Sequence, residues 1–398
     1  MSTMQKSRDW QGPPVFSFGF RPFFLGAAVY AGLVVALWVP WYLDAIEMPT
    51  AFGPLTWHAH ELLFGSTFAI IAGFLLTAVP NWTGRLPVVG YSLMMLFGLW
   101  VMGRLTVAVS AALDPISLAL LSLVFPIALV FVMGREILVG GNTKNLIIIA
   151  AVSVLTLSQA LTQYEHWSEA SNPVGTRLGL AAIVALIMLI GGRVTPSFTR
   201  NWLRKSNPGR EPSPIGRFDL LTLLVGASSL LLWAVSPLLP DWTPVPVGWI
   251  LLGAGLMHLA RQLRWVPHRV IREPIVLILH IGYLFVPVGL LLTGLALSDL
   301  LHTPEIAGIH AWSAGAIGVM TLAVMTRATL GHTGREITAS RTTVVIYLAA
   351  IGAAFTRLAA ALIPEVSRTL LEASAVLWCV AFLGFAVVYG RMLIAPRV

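Results

Sequence analysis

Twelve apolar runs, separated by short polar joints, follow one another along nearly the whole chain. Each run is about 20 residues long, the length that an α-helix needs to cross the roughly 30 Å of hydrocarbon in a bilayer. The pattern predicts transmembrane helices at 22–43, 57–80, 88–110, 116–134, 144–164, 174–195, 217–239, 246–265, 273–298, 304–329, 340–363 and 368–392. We therefore expect an all-α fold, a single transmembrane helical bundle over residues 1–398. It would have an N-terminal segment at 1–21 and a basic loop at 196–217 between its halves.

Composition agrees with this pattern, and the distribution of charge adds a topology. The chain is 57% hydrophobic and 11% charged, with a mean hydropathy of +0.84. Its net charge of +8 would suit nucleic-acid binding. The cations, however, lie in every second loop; Arg200, Arg204 and Lys205 belong to one such loop. The intervening loops carry acids such as Asp44 and Glu47. Because cations stay on the cytoplasmic side, both termini are predicted to be cytoplasmic, and no nucleic-acid partner is expected.

Several chemistries are disfavoured by what the sequence lacks. Its polar start has no cleavage site of a signal peptide, so the first span is expected to remain as an anchor. Cys379 is the single cysteine, which excludes an internal disulfide, a covalently attached haem and a cysteine-ligated iron–sulfur cluster. A phosphate-binding GxxxxGK[ST] loop is also absent, so ATP hydrolysis is not expected. Any haem would be non-covalent and held by histidine.

The cytoplasmic ends of predicted helices 2, 6 and 10 resemble one another, at 77–85, 192–202 and 324–335. Each combines Arg, Gly and Thr, and the spacing of four helices indicates a 4+4+4 repeat. The alternative is that any cytoplasmic helix end collects such residues.

Histidines within apolar helices are the main candidates for chemistry, because an ionisable side chain in the bilayer marks a functional site by default. His58 and His60 open helix 2, beside Glu61, on the predicted outer side. Residues two apart point about 200° away from each other on a helix, so one regular helix cannot aim both imidazoles at one ion. Either the first turn is irregular or the pair serves two sites. The structural alternative is an interfacial cluster in contact with water.

The other three candidates lie in later helices. His310 is followed by small residues that would let a helix or a flat ring approach, and it belongs by depth with the outer pair. His280 has strongly apolar neighbours, and His332 lies just past predicted helix 10 between glycines. Each has a structural alternative, a hydrogen bond between helices or a cytoplasmic turn. Arg193 and Arg327 lie near cytoplasmic helix ends, where they would pair with carboxylates of a cofactor or simply extend to the interface.

The chain resembles the NnrS family, bacterial inner-membrane proteins of the nitric-oxide response. The resemblance rests on segments 19–25, 57–65, 192–199, 279–283 and 310–335, of which the last, containing VMTRATLGHTGR, is the most specific. It implies a twelve-helix protein that holds haem and copper and protects cells from nitric oxide and nitrosative stress. It implies neither a settled reaction nor an assignment of each histidine to a metal.

Chemistry suggests a division of the ligands, stated as a hypothesis. His58, His60, Glu61 and His310 would form an outer metal group, and His280 and His332 an inner one. Arg193 and Arg327 would serve the propionates of a non-covalent, b-type haem. Copper accepts two or three imidazoles, and nitric oxide binds ferrous haem with an open axial position.

Two other classes of protein stay open at this stage. A twelve-helix small-molecule transporter would move a substrate and be colourless when pure. A haem–copper nitric-oxide reductase or quinol-linked redox enzyme is favoured by the 4+4+4 repeat, although the adjacent His-His pair of such oxidases is absent. Quinol or another electron donor would then be a partner, with nitric oxide and the lipid bilayer.

Overall fold

Twelve long helices make up most of the computed structural model, which describes residues 10–397. No strand occurs among these residues. In chain order the helices are α1 (Phe20–Tyr42), α2 (Pro54–Thr83), α3 (Tyr91–Ala108), α4 (Pro115–Val139), α5 (Leu146–Trp167), α6 (Gly175–Ser206), α7 (Arg217–Val235), α8 (Pro244–Leu263), α9 (Pro274–Leu297), α10 (Glu305–His332), α11 (Arg341–Leu362) and α12 (Ser367–Ile394).

The predicted all-α, polytopic membrane fold is confirmed. Within the described residues, eleven of the twelve helices are long and apolar enough to cross a membrane, and α8 falls outside that set. The polar His258, Arg261 and Gln262 at the end of α8 explain the difference, since all three are buried inside the protein rather than facing lipid. Their burial is the first indication of a polar site.

Within residues 10–397, three helices each contain a π-helical segment, in which the backbone hydrogen bonds reach one residue further than in an α-helix. The segments are Glu61–Thr67 in α2, Ile187–Gly191 in α6 and Ala311–Ile317 in α10. Such segments shift the faces that a helix presents and occur frequently at functional sites. These are the same three helices whose ends resemble one another in the sequence, so the irregularity recurs with the predicted 4+4+4 spacing.

Two predicted boundaries are wrong. Helix α6 does not end before Pro196 but continues to Ser206, so the loop begins at 207 rather than 196. Thr195, Thr199 and Leu203 form a buried stripe at helical spacing, and this stripe keeps the last turns helical despite the proline. His332 is likewise not beyond α10 but its last residue. Thr329 and Thr333 are buried on either side of it and extend the helix one turn further than hydropathy suggests.

The chain divides into two compact units, and the prediction of a single bundle stays a prediction. Unit 1 comprises 1–179, 328–336 and 382–398; unit 2 comprises 180–327 and 337–381. In unit 2, α8 and α9 touch backbone to backbone: a Cβ on Gly248 would lie 2.7 Å from the amide nitrogen of Ser298. In unit 1, Gly73 similarly admits the ring of Phe24. Small residues thus bring the helices of each unit close together, as is usual in membranes.

Candidate functional site

A carboxylate lies at the centre of a buried polar network in unit 1, where α2 changes from α- to π-helix. Glu61 is fully buried, and its Oε1 accepts hydrogen bonds from His60 Nδ1 at 2.7 Å and from Arg104 Nη1 at 2.6 Å. Tyr30 of α1 donates its hydroxyl to Oε2. Gly65 leaves room for both neighbours, because a Cβ there would lie 2.9 Å from the Tyr30 ring and 3.0 Å from Arg104 Nη1. One anion and one cation thus balance each other in a buried position.

The network fixes the tautomer of His60. A carboxylate only accepts hydrogen bonds, so Nδ1 carries the proton and Nε2 carries the lone pair. Gln163 of α5 donates to that lone pair at 3.2 Å, and the same amide nitrogen donates to Ser122 Oγ at 2.9 Å. A carboxylate on one imidazole nitrogen is the usual partner of a histidine that binds metal through the other. Here the other nitrogen is occupied by Gln163.

His58 and His60 lie in different surroundings, which answers the question raised by their spacing. The turn that holds them, Pro54–His60, is regular α-helix, and the irregularity begins only after it. His58 stacks on Trp38 of α1 with ring centroids 3.9 Å apart, whereas His60 packs between Phe52 and Phe64. The pair therefore does not converge on one point.

His310 of unit 2 also has a fixed tautomer. Its Nδ1 lies 2.8 Å from the carbonyl oxygen of Ile306, one turn earlier in α10. A carbonyl can only accept, so Nδ1 is protonated and Nε2 carries the lone pair. The residue immediately precedes the π segment of α10, as His60 precedes that of α2. Both imidazoles are thus oriented by Nδ1 and present Nε2.

His280 of unit 2 presents the opposite nitrogen. Its Nε2 lies 2.8 Å from Thr199 Oγ1, and that hydroxyl lies 2.8 Å from the carbonyl oxygen of Thr195. The single hydroxyl proton satisfies both contacts only if Thr199 donates to Thr195 and accepts from His280. Nδ1 then carries the lone pair; it is buried and has no hydrogen-bond partner in the described chain. An unpaired polar atom in a core needs an explanation, and a ligand of Nδ1 would provide one.

The remaining predicted residues lie outside these networks. His332 lies in unit 1 with its ring 5.5 Å from that of Phe20. Arg327 of unit 2 stacks its guanidinium over Phe198 at 3.6 Å, a cation–π contact that holds the charge beside an aromatic face. Arg193 lines a cleft of about 600 Å³ together with Arg200 and Arg204.

Glu211 is the acid of this cleft, and it lies in the loop after α6. Arg204 donates to both of its carboxylate oxygens, at 2.7 and 3.0 Å, and hydrogen bonding to Arg204 lowers the pKa of Glu211. The cleft therefore keeps three arginines against one ionised carboxylate at neutral pH, and is electropositive.

A second buried polar network, in unit 2, was not predicted. Arg261 donates to Asp219 Oδ1 at 3.2 Å and to the hydroxyl of Tyr283 at 2.8 Å, and that hydroxyl lies 2.9 Å from His258 Nδ1. Arg261 also donates to the carbonyl of Met188 in the π segment of α6. Each unit thus contains one buried set of Tyr, His, Arg and a carboxylate in contact with a π segment.

Sequence reasoning missed most members of both networks. Tyr30, Arg104 and Gln163 in unit 1, and Asp219 with Tyr283 in unit 2, are single polar residues in or beside apolar runs. That polarity was the signal, and Arg104 shows why it was not sufficient. Its partner is Glu61 on another helix, which the spacing of residues within one helix does not reveal.

The predicted metal ligands are shared between the units. His58, His60, Glu61 and His332 belong to unit 1, and His280 and His310 belong to unit 2. Within the described part of the chain, no three His, Cys, Asp or Glu side chains form a group that could hold a metal ion. The assignment of outer and inner ligand groups stays a prediction.

Comparison with known protein families identifies a match to almost the whole chain. Residues 14–397, nearly the whole chain, match the family model described as NnrS protein. No curated protein matches the chain. The family resemblance predicted from the sequence is confirmed.

Proposed function

The chain belongs to the NnrS family, and we propose that it is a haem- and copper-binding protein of the bacterial inner membrane that binds or processes nitric oxide and protects against nitrosative stress. Family membership supports the connection with nitric oxide. The many apolar helices make it a multi-pass membrane protein. Binding of haem and copper, and location in the inner membrane, are proposed here.

The buried, unpaired Nδ1 of His280 is the observation that carries the haem assignment. An imidazole nitrogen with a free lone pair in apolar surroundings would be able to bind haem iron. The hydrogen bond from Nε2 to Thr199 fits the rule that the second nitrogen of a ligating histidine is held by a protein acceptor. When bound, the haem would supply a ferrous iron to which nitric oxide can bind.

Other residues would support that haem in distinct ways. His332, which belongs to unit 1, is a separate candidate for a haem ligand. Arg193 and Arg327 would pair with propionates, since a carboxylate at a membrane interface needs a cation to balance it. For Arg327, the aromatic face of Phe198 already orients the guanidinium.

His60 of unit 1 and His310 of unit 2 each present a candidate copper ligand at Nε2, because a hydrogen bond holds Nδ1 in both. His58 is a third candidate. Glu61 would act as a positioning residue, because its hydrogen bond to Nδ1 keeps the lone pair of His60 on Nε2. Binding at His60 requires Gln163 to release its contact at 3.2 Å. This is a bond between two neutral groups, which costs about 1 kcal/mol to break.

Reduction is the alternative to simple binding of the gas. Conversion of two nitric oxide molecules to nitrous oxide and water consumes two electrons and two protons. The electrons would come from quinol or another donor. The π segments of α2, α6 and α10 favour this haem–copper redox alternative over a transporter. The reason is that these are the helices that carry His60, the Thr199 partner of His280, and His310.

Absorbance spectroscopy and metal analysis of the purified full-length protein test the proposal. We expect a Soret band that shifts on adding dithionite and nitric oxide, with iron and copper both present. His280→Ala should reduce haem content, and His60→Ala or His310→Ala should reduce copper. His302→Ala, an exposed loop histidine, is the matched control and should retain both.

Three results would contradict parts of the proposal. Full retention of both metals in His58→Ala, His60→Ala and His310→Ala would exclude these three histidines as metal ligands. Unchanged haem in His280→Ala would exclude the axial role of His280. A colourless, metal-free protein that transports a solute would replace the proposal by the transporter.

A further inference from the structure

Arg21 is a fully buried arginine at the start of α1, the end predicted to lie at the cytoplasmic face. Its side chain is 1% exposed. Nη1 donates to the carbonyl oxygens of Leu393, in the last turn of α12, at 3.0 Å and of Ala395, just after that helix, at 2.6 Å. Nε is buried without a hydrogen-bond partner in the described chain. Arg21 is therefore held firmly in place while one of its donors is unsatisfied.

Two further arginines lie close to it in unit 1. Arg335 follows α10, whose last residue His332 has its ring 5.5 Å from that of Phe20, the neighbour of Arg21 in the chain. Arg397 lies two residues beyond Ala395, whose carbonyl oxygen accepts from Arg21. Arg335 Nη1 is also buried without a hydrogen-bond partner in the described chain. His332 lies beside this group, three residues before Arg335. The three arginines thus lie on neighbouring segments of unit 1, and two of them have an unsatisfied donor.

No described carboxylate balances these charges. The ion pairs formed within residues 10–397 include none of Arg21, Arg335 and Arg397. Like charges on neighbouring segments repel one another, and buried donors without partners destabilise a fold. Elsewhere in this protein, buried arginines are paired: Arg104 with Glu61 and Arg261 with Asp219. An anionic ligand would account for both the unbalanced charge and the unsatisfied donors.

We propose that Arg21 and Arg335, assisted by Arg397, bind a phosphate group, that of an acidic phospholipid in the cytoplasmic leaflet. Guanidinium groups recognise phosphate because their planar set of donors matches its oxygens. The three arginines belong to the start of one transmembrane helix and to the segments after two others. This is the depth at which lipid headgroups lie when the cation-rich side is cytoplasmic. Free inorganic phosphate offers the same chemistry from the cytoplasm.

Thermal unfolding of the purified full chain in nanodiscs tests this site. Discs of phosphatidylcholine with and without phosphatidylglycerol are compared, and bound phospholipid phosphorus is measured after transfer to detergent. A second series in detergent adds inorganic phosphate alone. Arg335→Gln is the main variant, because Arg21 also binds the end of α12 and its loss can prevent folding. Arg397→Gln is the second variant, and the exposed Arg391→Gln is the matched control.

We expect phosphatidylglycerol to raise the unfolding temperature of the native protein and of Arg391→Gln, with phospholipid retained in detergent. In Arg335→Gln the affinity for the anionic lipid should fall about tenfold, the effect of losing one hydrogen bond to a charged group. A response to inorganic phosphate as large as that to the lipid, lost in Arg335→Gln, would keep the phosphate site but identify a free anion as its ligand.

Two outcomes would overturn the proposal. One is equal lipid dependence in the native protein and in both Arg335→Gln and Arg397→Gln. The other is loss of haem from Arg335→Gln with lipid binding unchanged, which would make the ligand a cofactor carboxylate. Because lipid binding is measured whether or not the protein holds haem, failure of this site and failure of the proposed function can be told apart.

Discussion

Arg104 of α3 donates a hydrogen bond of 2.6 Å to Glu61 of α2, and the two side chains are 5% and 0% exposed. The pair lies where α2 becomes π-helical, so an ionic contact between helices accompanies the change of helical register. His60 and Tyr30 add hydrogen bonds to the same carboxylate. The contact therefore ties three helices together and orients the candidate ligand His60.

Breaking this pair should destabilise the protein strongly. Arg104→Leu leaves the Glu61 carboxylate buried without its cation, and such losses cost about 3–5 kcal/mol. The free energy of unfolding in detergent, followed by tryptophan fluorescence, measures the effect. Adding Glu61→Gln to Arg104→Leu should recover much of the loss, because the double variant has no buried charge at this position.

The matched control is the pair Arg85–Glu136, whose side chains are 35% and 14% exposed. Arg85→Gln should cost about 1 kcal/mol or less, as is typical of pairs near water. Equal costs for Arg104→Leu and Arg85→Gln would mean that burial gives the Arg104–Glu61 pair no special part in stabilising the fold.

Removing the donor from Gln163 should loosen His60 without changing its tautomer. In Gln163→Leu, the Nε2 lone pair loses its partner, at a cost of about 1 kcal/mol, while Glu61 still accepts from Nδ1. Nitrogen-15 NMR of histidine-labelled protein, with His60→Asn to assign the signal, should show a protonated Nδ1 in both forms. Gln159→Leu, one turn away on α5, is the control and should leave the His60 signal unchanged. A proton found on Nε2 instead would refute the assigned tautomer.

The helices of this protein could be predicted from sequence because the bilayer fixes their length and hydropathy. The contacts between side chains of different helices could not be predicted in this way. Glu61 was identified as a candidate, but Arg104 and Tyr30 reach it from other helices, and the faces that meet depend on packing. Hydropathy also placed the end of α6 too early, because the stripe of Thr195 and Thr199 that holds it helical is polar.

The π segments could not be predicted from sequence either, although the helices that contain them could. The sequence indicated that helices 2, 6 and 10 are alike, yet nothing in a hydropathy pattern specifies a change of hydrogen-bond register. Gly65 illustrates the difficulty. Its lack of a side chain lets Tyr30 and Arg104 approach α2, and this is apparent only once the helices are assembled.

Replacing Gly308 of unit 2 by alanine should lower the free energy of unfolding. An added Cβ would lie 2.1 Å from Thr293 Oγ1 and 2.7 Å from the Thr293 amide nitrogen, and backbone cannot move aside cheaply. Gly308→Ala should therefore cost about 1–3 kcal/mol in unfolding free energy. Gly253→Ala, which would meet nothing within 4 Å in the middle of α8, should instead leave stability unchanged or raise it by up to about 1 kcal/mol. Similar effects of both variants would show that α9 and α10 do not touch as closely as described.

Thr199 should act through His280 rather than through its own helix. In Thr199→Val the His280 Nε2–H loses its acceptor, and a buried donor left unpaired costs about 1–3 kcal/mol. Thr222→Val is the matched control, because that buried hydroxyl donates to the Phe218 carbonyl of its own helix and its loss should cost less.

If His280 binds haem, Thr199→Val should also weaken haem retention about 10- to 100-fold, the usual effect of removing the partner of a ligating histidine. Titration of apoprotein with haem measures this affinity. Unfolding and haem retention that are the same in Thr199→Val and Thr222→Val would remove the reason for assigning the lone pair to Nδ1, and with it the main structural support for His280 as the axial ligand.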